Sequence, residues 1–321
     1  MSRTEFFRGA IQGKPYPLPR KWIMKRNGYR KMNTKKIAVL GGDMRQLYLI
    51  EALESCGYTV SAYGIKSYSP QCEETLIAAI SGADAAVLPY PLSPDGVYLN
   101  AICENCNIKL RDLFRAFKGA GVSLVFGGGF KNDIVELANE LNIKTVDYGK
   151  SETVLIKNAL CTAEGALEIA MRELPINIHG SKSTVLGYGR IGKLLCTRLK
   201  SLGSDVYAVA RKPEALAYAE AEGIYAIKMP NIQNAIENAD IIFNTAPSMI
   251  LDLPHLLLLR KDCLIIDLAS SPGGVDFNEA ERLGLKVIWA LSLPGKCSPK
   301  SAALIISEAV HEYISQNLHS E

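Results

Sequence analysis

Ser183-Thr-Val-Leu-Gly187-Tyr-Gly189-Arg-Ile-Gly192-Lys-Leu-Leu195 decides how this chain folds. A β-branched run enters a glycine turn, and a helical pattern leaves it. The spacing G-x-G-x-x-G is weak by itself. Here it lies between a strand and a helix, and a second strand over 205–209 follows at the distance of a βαβ unit. Gly187 permits the tight turn, Gly189 lets the backbone approach a pyrophosphate, and Gly192 lets helix and strand pack closely. The helix that opens here turns its free N–H groups and positive dipole end toward phosphates. Gly187, Tyr188, Gly189, Arg190, Ile191 and Gly192 are therefore expected to hold a dinucleotide.

The second strand indicates which dinucleotide. An NAD site places Asp or Glu there, on the ribose hydroxyls. This chain has Val209-Ala210-Arg211-Lys212 instead. An acid would repel a 2′-phosphate, whereas Arg bonds it bidentately and Lys neutralises it. Arg211 and Lys212 point to NADP, with NAD as the alternative. Further along, Asn244-Thr245-Ala246-Pro247 and the loop from Asp267 follow later strands of the same sheet. Ligands bind beyond the carboxyl ends of such strands, so these loops are expected to border the nicotinamide.

Outward from the motif, the chain alternates short strands with helices. Strands are expected over 36–40, 58–63, 85–88, 122–126 and 143–146, with helices over 47–55, 73–80, 110–120 and 133–141. Five strands with helical crossovers predict a parallel sheet in the flavodoxin manner. A long helix over 151–173, capped by Ser151 and ended by Pro175, links this to a second series of strands over 183–186, 205–209, 226–228, 240–243, 264–267 and 286–289. An amphipathic helix over 301–314 closes the chain. The expected fold class is α/β, with two doubly wound domains: a flavodoxin-like N-terminal one and an NAD(P)-binding Rossmann domain. The expected boundaries are 1–33, a basic extension; 34–150 plus 299–321, the first domain; 151–175, the linking helix; and 176–298, the Rossmann domain.

Two stretches outside the Rossmann domain also carry chemistry. Gly41-Gly42-Asp43-Met44-Arg45-Gln46 joins a strand to a helix but lacks the third glycine of a dinucleotide fingerprint. An Arg at a helix start suits a carboxylate ligand. Pro294-Gly295-Lys296-Cys297-Ser298-Pro299-Lys300 leads into the closing helix and offers cations and a hydroxyl: Lys296, Lys300 and Ser298. The Pro-, Tyr- and Ser-rich stretch 89–107 interrupts the rhythm, and long loops in compact domains are often functional.

Composition narrows the classes. The 321 residues are 48% apolar and 21% charged, ordinary for a globular chain long enough for two cores. The longest apolar runs are far short of a membrane span, so a soluble protein is expected. Net charge is +3, yet residues 1–33 hold nine Lys and Arg against one acid, leaving the body mildly acidic. Such a body is a poor nucleic-acid binder. The basic head reads as a disordered extension or a start assigned too far upstream, and a basic docking arm is the alternative. Eight cysteines with no secretory signal suit a reducing cytosol. Cys103 and Cys106 form a lone C-x-x-C far from any histidine, so no metal is expected.

Gly-Gly-Asp-Met-Arg-Gln, Gly-Tyr-Gly-Arg-Ile-Gly and Leu-Pro-Gly-Lys-Cys-Ser-Pro-Lys-Ser, in that order, resemble the A-subunit family of dipicolinate synthase, as does Asn158-Ala-Leu-Cys-Thr162-Ala-Glu164-Gly165. The resemblance spans about residues 36–317. It implies oxidation of dihydrodipicolinate to dipicolinate, the last step of spore dipicolinic acid synthesis, with a B subunit as partner in the mother-cell cytoplasm. The wider architecture resembles two-domain hydroxyacid and alanine dehydrogenases, whose final helix returns to the first domain and whose substrate lies in the cleft. Arg45, Lys296 and Lys300 are then the cations for the two carboxylates, with Ser298 beside them. Asp43, Glu164 or water would take the proton. A different NADP-dependent amino- or hydroxy-acid dehydrogenase, and a non-catalytic cofactor-binding subunit, are the alternatives; homo-oligomerisation stays open.

Overall fold

The computed structural model describes residues 35–65, 72–103 and 106–317; the basic segment 1–33 lies outside the described residues. In the first lobe, β1 (Lys36–Leu40), β2 (Thr59–Tyr63), β3 (Ala85–Val87), β4 (Leu124–Gly127) and β5 (Lys144–Asp147) form a parallel sheet in the order β2-β1-β3-β4-β5. The intervening helices are α1 (Met44–Ser55), α2 (Leu76–Ile80), α3 (Leu110–Ala120) and α4 (Asn132–Glu140). Ala38 and Leu40 pack against α2, α3 and α4 through Ile80, Phe114, Phe117 and Ile134. The alternate residues Ile37 and Val39, equally buried, point to the other face, because side chains alternate along a strand.

That other face is covered by α1 and by the last helix, α12 (Pro299–Asn317). The chain therefore ends by completing its first lobe. Tyr58 Oη lies 2.9 Å from His311 Nδ1, and the Tyr313 ring meets Phe126 edge-on at 5.4 Å. Ile305, Ile306, Val310 and Ile314 are buried along one side of α12, as the amphipathic pattern requires.

The connecting helix α5 (Glu152–Glu173) starts where Ser151 accepts the Val154 N–H and stops just before Pro175. The second sheet follows as β6 (Lys182–Leu186), β7 (Asp205–Ala210), β8 (Tyr225–Lys228), β9 (Ile241–Asn244), β10 (Leu264–Asp267) and β11 (Lys286–Trp289). Its order is β11-β10-β9-β6-β7-β8, all parallel. Between these strands run α6 (Arg190–Ser201), α7 (Pro213–Ala221), α8 (Gln233–Ile236), α9 (Leu253–Leu256) and α10 (Phe277–Arg282); α11 (Leu293–Cys297) precedes α12. Val185, Ile241 and Phe243 face α5 and α6 on one side, while Leu186, Ile242 and Ile265 face the other. The two doubly wound α/β lobes are those the strand pattern predicts.

Helix ends differ from the pattern where a side chain caps the backbone. The expected helix over 73–80 begins only at Leu76, because the Thr75 hydroxyl accepts the Ala78 N–H at 3.2 Å. α1 begins before residue 47, at Met44, because Asp43 accepts the Arg45 N–H at 3.0 Å. All eight cysteines are free thiols. Burial pushes the Cys106 thiol up to about 11, which makes it unreactive.

Candidate active site

Each sheet reverses its winding once, between β1 and β3 in the first lobe and between β6 and β9 in the second. Crevices open at such points beyond the carboxyl ends of the strands. Here both crevices contribute to one cavity of about 430 Å³. Arg45 comes from the first turn of α1, after β1, and Tyr90 and Pro91 from the loop after β3. Gly189 comes from the turn after β6, Arg190 and Ile191 from the first turn of α6, and Thr245 from the loop after β9. Ser292 and Pro294 follow β11, and α5 supplies a wall through Leu155, Asn158, Ala159 and Thr162. No carboxylate or imidazole lines it among the described residues.

The glycines divide into two kinds. Gly187 has φ +101°, and a Cβ there would lie 2.5 Å from Thr245 Oγ1. A Cβ on Gly192 would lie 2.1 Å from the Gly187 carbonyl oxygen, so only glycine lets α6 sit on that turn. Gly189 is different, since a Cβ there would meet no atom within 4 Å. Its bare backbone faces open space at the N-terminus of the twelve-residue α6. These residues fit a dinucleotide pyrophosphate.

Around this loop the sequence candidates separate. Arg190 lines the cavity and is held by Glu152 through bonds of 2.7 and 2.5 Å. Ile191 lines it as well. Tyr188 is a core residue instead: it is buried, burial pushes its hydroxyl up to about 12, and its ring packs among Leu195 and Val206. Arg211 and Lys212 stand exposed just past β7, whose Val209 carbonyl accepts the Gly187 N–H at 2.8 Å. Neither cation is in an ion pair among the described residues.

Asn244 and Asp267 hold the protein together. Asp267 is fully buried and accepts from Asn244 Nδ2 at 2.8 Å, Ala269 N at 3.0 Å and Gly274 N at 2.8 Å. Asn244 also bonds both the N–H and the carbonyl of Ala246. Buried and outside the cavity lining, this carboxylate ties the loop after β9 to the loop after β10. Thr245 lines the cavity, with its hydroxyl donating to the Leu186 carbonyl at 2.9 Å. Pro247 is exposed and outside the lining.

The first-lobe candidates change more. Arg45 is buried in the cavity wall, but its fork already grips Asp43: Nε donates to Oδ1 and Nη2 to Oδ2, each at 2.8 Å. Nη2 also donates to the Tyr90 carbonyl, leaving Nη1 without a partner among the described residues. Asp43 is thus committed to Arg45, which disfavours it as a base. Gly295 lets α11 approach the start of α1, because a Cβ there would lie 2.5 Å from Asp43 Oδ2. Lys296, one residue on, is exposed and does not line the cavity. Lys300 Nζ lies over the Tyr48 ring, 5.9 Å from its centre, also outside the lining. Ser298 lies near Cys161 of α5, and its buried hydroxyl has no hydrogen-bond partner among the described residues. Glu164 sits on the outer face of α5, 61% exposed, 3.5 Å from Arg198. None of these four reaches the cavity.

Tyr90, Asn158, Thr162 and Ser292 line the cavity although no sequence motif marks them as site residues. Asn158 and Thr162 are legible as a polar pair four residues apart on a helix face that is otherwise Leu155 and Ala159. Tyr90 opens the long loop that breaks the strand rhythm.

Comparison with known proteins finds a match for each lobe. Residues 36–149 match the family described as the N-terminal domain of the dipicolinate synthase A subunit. Residues 162–270 match the NAD binding domain of D-isomer specific 2-hydroxyacid dehydrogenases. The chain is thus a two-domain α/β protein of the nicotinamide-dependent oxidoreductase type, one lobe similar to the dipicolinate synthase A family and the other to dehydrogenase NAD-binding domains. Among its relatives is the A subunit of dipicolinate synthase. It is 28% identical to that of Bacillus subtilis (strain 168) over 290 residues, covering 88% of this chain and 96% of the other. The crystal structure of the Bacillus subtilis protein superposes with a TM-score of 0.78, over 90% of this chain and 99% of that one. The corresponding protein from Bacillus halodurans gives 0.76 at 25% identity, over 88% and 99%. The apo-structure of Escherichia coli D-lactate dehydrogenase, at 16% identity and 0.60 over 89% and 97%, shares the fold.

Proposed function

We propose that this chain oxidises dihydrodipicolinate to dipicolinate with NADP, acting with a second subunit in the cytoplasm. The observation that carries the reading is the cavity itself. It joins the open backbone at Gly189 to Arg45 and Tyr90, and among the described residues no acid or imidazole stands in its wall. The name shared by the relatives, the A subunit of dipicolinate synthase, supports both the substrate and a partner subunit.

When bound, the dinucleotide supplies a two-electron acceptor for a hydride leaving the dihydropyridine ring. Gly189 and the N-terminus of α6 hold the pyrophosphate, while Arg211 and Lys212 neutralise the 2′-phosphate. Arg45, through Nη1 and its charge, orients one substrate carboxylate, and the hydroxyl of Ser292 offers a further hydrogen bond. The second hydrogen leaves as a proton. Because the product is aromatic, proton loss needs no strong base, and water takes it. Oxidising an unactivated alcohol would call for a positioned base, so the bare wall favours the ring substrate over a hydroxy acid.

The test is direct. The purified chain, alone and with its partner subunit, is mixed with enzymatically made dihydrodipicolinate and NADP or NAD, and reduced dinucleotide is followed by absorbance. Formation of dipicolinate with stoichiometric NADPH is expected. Dinucleotide binding without turnover, even with the partner saturating, would overturn the reading. Arg211→Ala should weaken NADP binding by about 1.5–3 kcal/mol and leave NAD nearly unchanged. Equal losses for both would remove the 2′-phosphate assignment.

A further inference from the structure

The wall that α5 presents to the cavity is apolar except for Asn158 and Thr162. Thr162 turns its hydroxyl back to the Asn158 carbonyl at 3.0 Å, so it satisfies itself on the helix. Asn158 does not. Its Oδ1 is buried with no hydrogen-bond donor in reach, and its Nδ2 bonds nothing among the described residues. An amide oxygen kept out of water without a donor costs free energy, and a native fold rarely tolerates one without a reason. Leucine, of similar size, would suit the wall better if the wall had only to pack.

Resting on the reading of this cleft as a dinucleotide and substrate site, we propose that the Asn158 carboxamide is a ligand-reading group. Its oxygen accepts a hydrogen bond from an N–H of the bound molecule, and its nitrogen donates to an oxygen beside that N–H. A planar group presenting a nitrogen donor next to an oxygen acceptor matches an amide head to tail. Two bound species offer that chemistry: the carboxamide of the nicotinamide ring, and the edge of the substrate where a protonated ring nitrogen adjoins a carboxylate. Asn158 lines the same cavity as Gly189 and Thr245, which belong to the dinucleotide-binding lobe, and Arg45 and Tyr90, which belong to the other.

The experiment measures binding rather than turnover, on the full chain. Asn158→Leu removes both hydrogen bonds, and Asn158→Asp keeps the acceptor while replacing the donor by charge. Four probes are titrated by calorimetry: NADPH, NADH, 2′-phospho-ADP-ribose (which lacks the nicotinamide) and dipicolinate. Asn158→Leu is expected to melt no lower than wild type, since an unpaired buried polar atom has been removed. It should bind either the better-held reduced dinucleotide or dipicolinate about tenfold more weakly. Loss on the dinucleotide alone, with 2′-phospho-ADP-ribose unchanged, assigns the carboxamide as the partner. Dipicolinate carries no proton on its ring nitrogen at neutral pH and so reads only the Nδ2 donor to a carboxylate; loss on it, larger still in Asn158→Asp because charge repels charge, assigns the substrate edge. Changes below about twofold for every probe would overturn the proposal, as would an equal loss for 2′-phospho-ADP-ribose, which marks a general disturbance of the loop. Should wild type not bind dipicolinate at all, the substrate reading fails while the dinucleotide probes still decide Asn158.

Discussion

Arg45 already holds a carboxylate, and that changes what a ligand can ask of it. Its Nε and Nη2 are used on Asp43 and the Tyr90 carbonyl, so it meets a substrate through charge and one free nitrogen. Arg45→Ala is expected to lower kcat/KM for dihydrodipicolinate by about tenfold or more, with dinucleotide affinity kept. Arg45→Lys should recover little, because one ammonium cannot span both Asp43 oxygens and the carbonyl. Lys296→Ala, on an exposed side chain away from the lining, should behave as wild type in the same steady-state assay; a tenfold loss there would return Lys296 to the site. Asp267 is the opposite case, a buried anion held by three donors. Removing it as Asp267→Ala leaves those donors unpaired and should cost roughly 2–4 kcal/mol, several degrees of Tm. A melting curve unchanged from wild type would show that the knot between the two loops is dispensable.

Among the elements, the turn from β6 into α6 separates packing from ligand space within one motif. Gly192→Ala drives a Cβ into the Gly187 carbonyl, 2.1 Å away, and neither atom is a flexible side-chain end. Helix and strand must part, so both Tm and dinucleotide affinity are expected to fall. Gly189→Ala adds a Cβ where nothing stands within 4 Å. Its Tm should match wild type while dinucleotide affinity drops at least tenfold, because the methyl group fills the approach to the pyrophosphate. Tight binding in Gly189→Ala, measured by fluorescence titration, would mean that the open space serves some other ligand. The motif's class is legible in the sequence because glycine spacing, strand and helix are all local. Which of its residues face inward is not: Tyr188 lies between two of the glycines yet belongs to the core.

The last helix makes the first lobe's stability depend on the far end of the chain. His311 of α12 is buried against Tyr58, and burial lowers its pKa below the ordinary 6.5. The folded state therefore favours neutral histidine. Above about pH 6.5 the imidazole is neutral whether folded or unfolded, and stability is unaffected. As pH falls below that value the unfolded chain binds the proton first, and stability drops until the folded pKa is passed. His311→Gln should lower Tm at pH 7.5 by losing the Tyr58 contact, and the gap to wild type should narrow by pH 5. A gap constant across that range would show that His311 does not titrate between the two states.

Neighbouring residues alone specify the two sheets, their helical crossovers, the dinucleotide turn and the charge past β7. Each of these is written locally: a period of two or of 3.6, a cap, a glycine that a turn requires. Which polar groups meet is settled only when the chain packs. Arg45 and Gly295 touch because α12 folds back on α1, and Asn244 meets Asp267 because β9 and β10 pair in register. Lys296, Ser298, Lys300 and Glu164 carry suitable chemistry, but α5, α11, α12 and the link between the last two hold them outside the cavity lining. Asn158 has no charge to draw notice and acquires its significance from what surrounds it. Side-chain direction on a helix depends on which face the rest of the protein buries, and that is settled by packing between residues far apart in the chain.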